Sequence, residues 1–200
     1  MRILILGGTQ MLGRNFVERN QSVHSIVLAN RGVTLPDLFA GLEHVKIDRG
    51  VSGGCVSLGM LGSVDVVVDF SCYTEQHLQN TVPFLPKYKR YVYVSTMSVF
   101  DADVLQREGV CDYYWYCVNK VQCEAWVRCF AGRERWSVVR PCAVVGPHDY
   151  TKRFYERDGK YFWNNGTPAE NNVVAVEQVS AAIERELVEV GFRELNVCGG

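Results

Sequence analysis

Tyr116 and Lys120 stand four residues apart. They fall in a stretch, Tyr113–Phe130, whose apolar residues Val118, Val121, Ala125, Trp126 and Cys129 recur at helical intervals. Positions i and i+4 share one helical face, so the phenol and the ammonium are neighbours. A cation beside a phenol favours the phenolate and draws its pKa from about 10 towards neutrality. General acid–base catalysis at physiological pH needs a tyrosine of that kind. Taken alone the spacing recurs by chance in many helices, and Tyr113, Tyr114 and Trp115 fit a packing face as well.

A second group of residues points to phosphate. Gly7-Gly8-Thr9-Gln10-Met11-Leu12-Gly13 follows the apolar run Arg2–Leu6 and opens a helix-like stretch, Leu12–Asn20. A first glycine lets the chain turn, and a later one lets helix and strand pack closely. The helix N-terminus then offers N–H groups and a positive dipole end to a pyrophosphate. Gln10 replaces the middle glycine of the usual fingerprint. Gly7, Thr9, Gln10, Met11, Leu12 and Gly13 are the expected cofactor contacts. At the end of the next apolar run, Asn30-Arg31-Gly32 puts an amide and a guanidinium where an acidic side chain would hold the ribose hydroxyls of NAD. Arg31 suits adenine stacking or a 2′-phosphate, which tilts the choice between NAD and NADP towards NADP. Asp48 is expected at the adenine amino group, and Arg14 within reach of phosphate.

A third group, Ser95-Thr96-Met97-Ser98-Val99-Phe100, carries hydroxyls at the end of an apolar run. Ligands of open α/β sheets bind outside the carboxyl ends of the strands. A hydroxyl-rich turn that satisfies its own backbone is the plain alternative.

The elements that would position these groups alternate along the chain. Strands are expected at Arg2–Leu6, Ser25–Asn30, His44–Asp48, Val64–Ser71, Arg90–Ser95 and Ser137–Val145, with helices at Leu12–Asn20, Glu75–Val82 and Tyr113–Phe130. Alternation of this kind predicts a doubly wound parallel sheet of Rossmann type with a small C-terminal lobe. The division reads 1–147 for the dinucleotide-binding part and 148–200 for a substrate lobe, a closing helix near Glu177–Val190 and a strand, Glu194–Cys198. The stretch from Asp149 to Asn172 is polar, aromatic and turn-rich.

Two hundred residues suffice for one well-buried domain and a modest appendage, and 48% apolar with 22% charged residues is ordinary for a globular chain. A formal net charge of −1 speaks against nucleic-acid binding by bulk charge. No stretch approaches the roughly 20 apolar residues that span a bilayer, and the N-terminal apolar run is too short for a signal peptide. A cytoplasmic location is expected. Cys111, Cys117, Cys123 and Cys129 recur every six residues, which on a helix spreads them about 240° apart. They are expected to be reduced structural thiols like the other four cysteines, and no metal is expected.

In order and spacing, the three groups together resemble the extended short-chain dehydrogenase/reductase family, in its epimerase/dehydratase-like branch. Gly7 to Gly13, Ser95–Phe100 and the Tyr116/Lys120 pair carry the resemblance, with Asp65–Ser71, Arg140–Pro147 and Val173–Val179 as further matches. It covers nearly the whole chain, with a shortened substrate lobe. The resemblance implies Tyr116 as acid/base and Lys120 as ribose ligand and tuner of the tyrosine. It implies Thr96 as the catalytic hydroxyl, with Ser95 beside it, and the nicotinamide near Pro141–Val144. Ser71 would flank the cofactor. Arg153, Tyr155 and Arg157 in the lobe would meet a nucleotide-sugar diphosphate and base.

The activity so implied is an NAD(P)-dependent epimerase, dehydratase or reductase acting on a nucleotide sugar or a related secondary alcohol or ketone. A homodimer through the Tyr113–Phe130 helix goes with it. A dinucleotide sensor or scaffold without turnover is the competing class, and the shortened lobe favours it. An RNA-associated relative of the same fold is a weaker third reading.

Overall fold

The computed structural model describes residues 1–103, 106, 112–132, 135–149, 151–169 and 173–199. Cys111, Tyr150 and Asn172, which enter the sequence reading, lie outside the described residues. The strands are β1 (Arg2–Leu6), β2 (Ser25–Asn30), β3 (Glu43–Lys46), β4 (Val66–Asp69), β5 (Arg90–Val94), β6 (Trp136–Pro141), β7 (Ala143–Val145), β8 (Phe154–Arg157), β9 (Lys160–Trp163), β10 (Val173–Ala175) and β11 (Arg193–Val197). The helices are α1 (Met11–Asn20), α2 (Glu75–Thr81), α3 (Asp112–Phe130) and α4 (Val176–Glu186).

Seven strands form one parallel sheet in the order β11-β6-β5-β4-β1-β2-β3. Its apolar runs are continuous because both faces are covered. Ile3 and Ile5 of β1 point to a core with Phe16 and Val17 of α1 and Val179 and Ile183 of α4. Leu4 and Leu6 point to the opposite core, with Leu78 of α2 and Cys123 and Val127 of α3. The sheet is therefore doubly wound, as expected. The chain runs outward from β1 through β2 to β3, then crosses back to place β4 on the other side of β1. That reversal opens a crevice at the carboxyl ends of β1 and β4.

Three departures from the expected elements have physical causes. The strand expected over Ser137–Val145 breaks at Cys142, directly after Pro141, which has no amide proton to donate. Its second half, β7, pairs instead with β10. The turn-rich stretch contains an antiparallel hairpin, β8–β9. Its two-residue turn, Asp158-Gly159, has φ of 52° and 72°, as a type I′ hairpin requires. Asp-Gly between alternating residues is the signal that identifies it. Lastly, α4 ends at Glu186 rather than Val190, and β11 then returns to the edge of the main sheet beside β6.

The expectation that all eight cysteines are reduced is overturned at one pair. Cys142 and Cys198 form a disulfide, with Cα atoms 5.3 Å apart. The register explains it: Pro141 pairs with Val197, so the next residue of each strand meets the other. Cys55, Cys72, Cys117 and Cys123 are buried cysteines outside any disulfide, and Cys129 is an exposed one. No helix among the described residues is long and apolar enough to cross a membrane.

Candidate active site

The crevice is a cleft of about 1380 Å³ along the carboxyl ends of the central strands. Gly7 to Gly13 line its floor. Gly7 takes a φ of +105°, and Gly13 has no room for a Cβ, which would sit 2.9 Å from the backbone of Gly8. The missing middle glycine has a simple account. Gln10 adopts φ −130° and ψ 144°, a conformation open to any residue, while Met11 next to it takes φ 32°. A non-glycine residue held at positive φ stores strain of the kind found at ligand sites. The N-cap residue Gln10 makes no side-chain cap and no acidic residue sits in the first turn of α1, which suits its leading N–H groups to an anion. The absence of Cβ atoms and the uncapped helix end fit a pyrophosphate.

At the far end of this floor the structure brings Asn30, Arg31, Asp48 and Ser71 together along the cleft. Three of them are engaged with the protein itself, Ser71 through Arg49 at 3.2 Å. The Asn30 Oδ1 accepts from the Gly32 amide at 2.7 Å and lies 2.9 Å from His44 Nε2, while its amide nitrogen reaches the Gly7 carbonyl at 3.5 Å. Asp48 accepts from the Gly50 amide at 2.9 Å. Arg31 is exposed on the cleft rim. Arg14 is not in the cleft wall; it pairs with Glu18 one turn on, at 2.7 Å.

Sequence reasoning missed Arg49, a buried charge in the cleft wall. Its guanidinium grips both oxygens of Asp69 at 2.6 and 2.8 Å and also donates to Thr81 and Ser71. The Tyr91 hydroxyl donates to Asp69 at 2.6 Å. Burial pushes the Asp69 pKa up, but the Arg49 charge and the hydrogen bonds of Arg49, Tyr91 and Ser71 outweigh it, leaving the carboxylate below its ordinary range. Arg49 is held charged for the matching reason: burial opposes its proton, and Asp69 more than restores it. An Asp-Arg pair this far apart in sequence has no local signature; the loop after β3 brings Arg49 to the end of β4.

The other end of the cleft gathers Ser95, Thr96, Tyr116, Lys120 and Pro141. Lys120 is buried, and its ammonium donates to the carbonyls of Cys72 at 2.8 Å and Val94 at 3.2 Å. It also lies 5.0 Å from the ring centroids of Tyr73 and Tyr93. Burial lowers its pKa, against opposing charges nearby. Tyr116 is half-buried, its ring 6.3 Å from that of Tyr113. The two hydroxyls of β5's end differ. Thr96 accepts from the Ser98 amide at 3.2 Å and donates to the Ser98 hydroxyl at 3.1 Å, capping the short 3-10 turn Met97–Asp101. Ser95 is only 5% exposed, and its hydroxyl has no protein partner among the described residues. Tyr113 reaches Ser98 at 2.8 Å and Asp101 at 2.9 Å. Burial first, then Asp101, pushes its phenol up against the opposing Ser98 hydrogen bond.

Of the lobe residues, Arg153 lines the cleft, together with Thr151 and Trp163. Tyr155 and Arg157 do not. In a strand alternate residues face opposite ways, so they lie on the hairpin face away from Phe154, whose ring packs 4.3 Å from Trp163. Tyr155 stacks on Phe162 and is 42% exposed; Arg157 sits beside Asp158 in solvent.

No protein-family model matches the chain. A curated relative, the chloroplast stem-loop binding protein of 41 kDa b from Arabidopsis thaliana, is 26% identical over 167 residues, covering 74% of this chain. The chain spans 43% of that protein's length. Among solved structures, vestitone reductase from alfalfa superposes with a TM-score of 0.69 at 13% identity, over all of this chain and 77% of its own. The dTDP-glucose 4,6-dehydratase of Bacillus anthracis, in complex with NAD, gives 0.65 at 16% identity, over all of this chain and 76% of its own. The chain shares their Rossmann-type fold. The part of those enzymes that it does not cover matches the shortened lobe read from the sequence.

Proposed function

We propose that the chain is an NAD(P)-dependent oxidoreductase of the epimerase, dehydratase or reductase type, acting on a nucleotide sugar or a related secondary alcohol or ketone. One observation carries the reading: the glycine turn and the Tyr116, Lys120 and Ser95–Thr96 group line one continuous cleft at the strand switch point. A dinucleotide sensor needs only the first half of that cleft. A nicotinamide dinucleotide seated over Gly7–Gly13 would supply or accept hydride at the substrate carbon. The chain's own residues would handle the proton and the charge. Tyr116 would give a proton to the substrate oxygen or take one from it. An ammonium has three donors; Lys120 spends two on carbonyls, leaving the third for the ribose or the phenol. The Ser95 and Thr96 hydroxyls would hydrogen-bond the oxygen as its charge changes, Ser95 being the one without a protein partner. Pro141 would back the nicotinamide, and Arg153 with Trp163 would face the substrate's diphosphate and base. The two-part division at 147/148 belongs to this reading, the hairpin being the substrate side. So does a cytoplasmic location. A homodimer through α3 also belongs here, supported by the exposure of Trp115 and Val121 on that helix.

The test is turnover. Incubation with NADH or NADPH and a panel of nucleotide sugars and small ketones should give a product detectable by mass spectrometry. Tyr116→Phe should remove about 10²–10⁴-fold of the rate while leaving dinucleotide affinity nearly unchanged. Cofactor binding without turnover of any panel member would replace the enzyme by the sensor.

A further inference from the structure

The cleft wall contains a reactive pair that the proposed hydride chemistry does not use. Cys142 and Cys198 both line the cleft, joined as a disulfide, at the junction of β6 and β7 where Pro141–Val144 forms the wall. The two cysteines lie 56 residues apart in sequence and come together only through the parallel pairing of β6 with the edge strand β11. Cys142 is fixed from the backbone as well, its amide donating to Val197 at 2.9 Å. The next residue of the tail, Gly199, donates to Val173 of β10 at 3.1 Å. The disulfide and the Gly199 hydrogen bond together tie three chain segments round one end of the cleft. Cys198 is an exposed residue and Cys142 a half-buried one, which favours attack at Cys198.

We propose that Cys142–Cys198 is a thiol–disulfide exchange site through which low-molecular-weight thiols set the affinity of the cleft for dinucleotide; the proposal rests on reading that cleft as a dinucleotide site. A thiolate attacks the exposed Cys198 sulfur, the bond between the two sulfurs breaks, and Cys142 leaves as a thiolate that takes up a proton. A second thiolate then releases Cys198 from the mixed disulfide, so two thiols become one low-molecular-weight disulfide and the pair gains two electrons and two protons. Oxidised glutathione drives the reverse. The open, lined cleft is the form with the bond made. Once it breaks, the covalent tie between the Pro141–Val144 wall and the Cys198–Gly199 tail is lost, and the wall is less ordered. Ligand binding to the reduced form then has to re-order that wall, which a preorganised site avoids.

Titration of the purified protein with NADH and with NADPH, after equilibration in oxidised glutathione or in dithiothreitol, tests this. A Cys129→Ser background removes the exposed free thiol. Mass spectrometry after alkylation should find residues 142 and 198 linked in the first sample and both alkylated in the second. The linked form should bind at least about threefold more tightly. Cys142→Ser and Cys198→Ser should each show the weaker affinity and lose the response to dithiothreitol. Equal affinities in the two states, or a pair that never links in oxidised glutathione, would overturn the proposal. Failure to bind either dinucleotide in both states would overturn the reading of the cleft itself, and this inference with it.

Discussion

The two ends of the cleft are built by different means. The glycine-turn end rests on β1, β2 and β4, whose residues are buried on both faces, and on side chains locked to one another: Asn30 to Gly7, Gly32 and His44, and Arg49 to Asp69, Thr81 and Ser71. The hairpin end rests on β8 and β9, which join no other sheet, and most of their side chains are exposed or half-exposed. A shape fixed by core strands suits a ligand part that never varies, such as a pyrophosphate. A two-stranded ribbon at the rim suits the part that differs between substrates, because it can change without disturbing the core. The contrast predicts that substitutions at the first end cost stability and all dinucleotide binding, and those at the second cost little beyond substrate choice.

The sharpest way to break the contrast is at Asp69. Removing its charge leaves Arg49 buried without a counter-ion, which typically costs about 3–5 kcal/mol. Asp69→Asn should therefore lower the unfolding free energy by that much, measured by urea denaturation. The pH dependence has a definite sign. A carboxylate whose folded pKa is depressed contributes stability above its unfolded value, about 3.9, and loses it as pH falls through the lower folded pKa. The unmutated protein should lose stability below about pH 4, and Asp69→Asn should flatten that loss. A variant as stable as the parent would show that the buried network does not hold this end.

Gly13→Val comes next. Its Cβ has no room against the Gly8 backbone, so helix and turn must separate. Overpacking of this kind costs about 1–3 kcal/mol, and binding of NADH and NADPH should fall below detection while the circular dichroism spectrum stays native. Retained affinity would move the pyrophosphate elsewhere. Arg31→Ala is a finer probe of the same end. If the exposed guanidinium meets a 2′-phosphate, NADPH binds more tightly than NADH, and the substitution removes a charge-assisted contact of about 1.5–3 kcal/mol. The preference should fall by roughly ten- to a hundredfold; equal affinities in the parent would end the NADP assignment.

How much of this was legible in the sequence follows the same division. The glycine turn, the strands through β6 and the Tyr116/Lys120 spacing are local patterns, and the sequence carries them in full. The Thr96 cap is the local hydroxyl turn offered as the plain alternative. Arg49 with Asp69 depends on where the loop after β3 returns, and the Cys142–Cys198 bond on β11 lying beside β6; no local pattern encodes either. The hairpin was legible in principle through Asp158-Gly159, yet its polar, aromatic residues read as a loop. Facing was the harder part: the alternation that sends Trp163 to the cleft and Tyr155 away from it needs the hairpin's register, Phe154 opposite Trp163.

The smallest expected effect therefore tests the hairpin end most directly. Arg153, just before β8, and Arg157, its last residue, carry the same charge and differ mainly in their relation to the cleft. Arg153 lines the cleft and is steadied by Thr151 at 3.1 Å; Arg157 meets only solvent and the neighbouring Asp158. Surface substitutions away from any special feature change stability by about 0.5 kcal/mol or less, so Arg153→Ala and Arg157→Ala should both fold and bind NADH like the parent. They should part only with a second ligand. UDP-glucose, titrated against the dinucleotide-saturated protein, should bind more weakly to Arg153→Ala, because a charge-assisted contact to its diphosphate is lost. Arg157→Ala should bind it unchanged. Equal losses in the two variants would mean that general positive charge attracts the ligand and that the ribbon's facing is irrelevant. A loss confined to Arg157→Ala would place the substrate on the outer face of the hairpin, and the cleft would then end at Pro141.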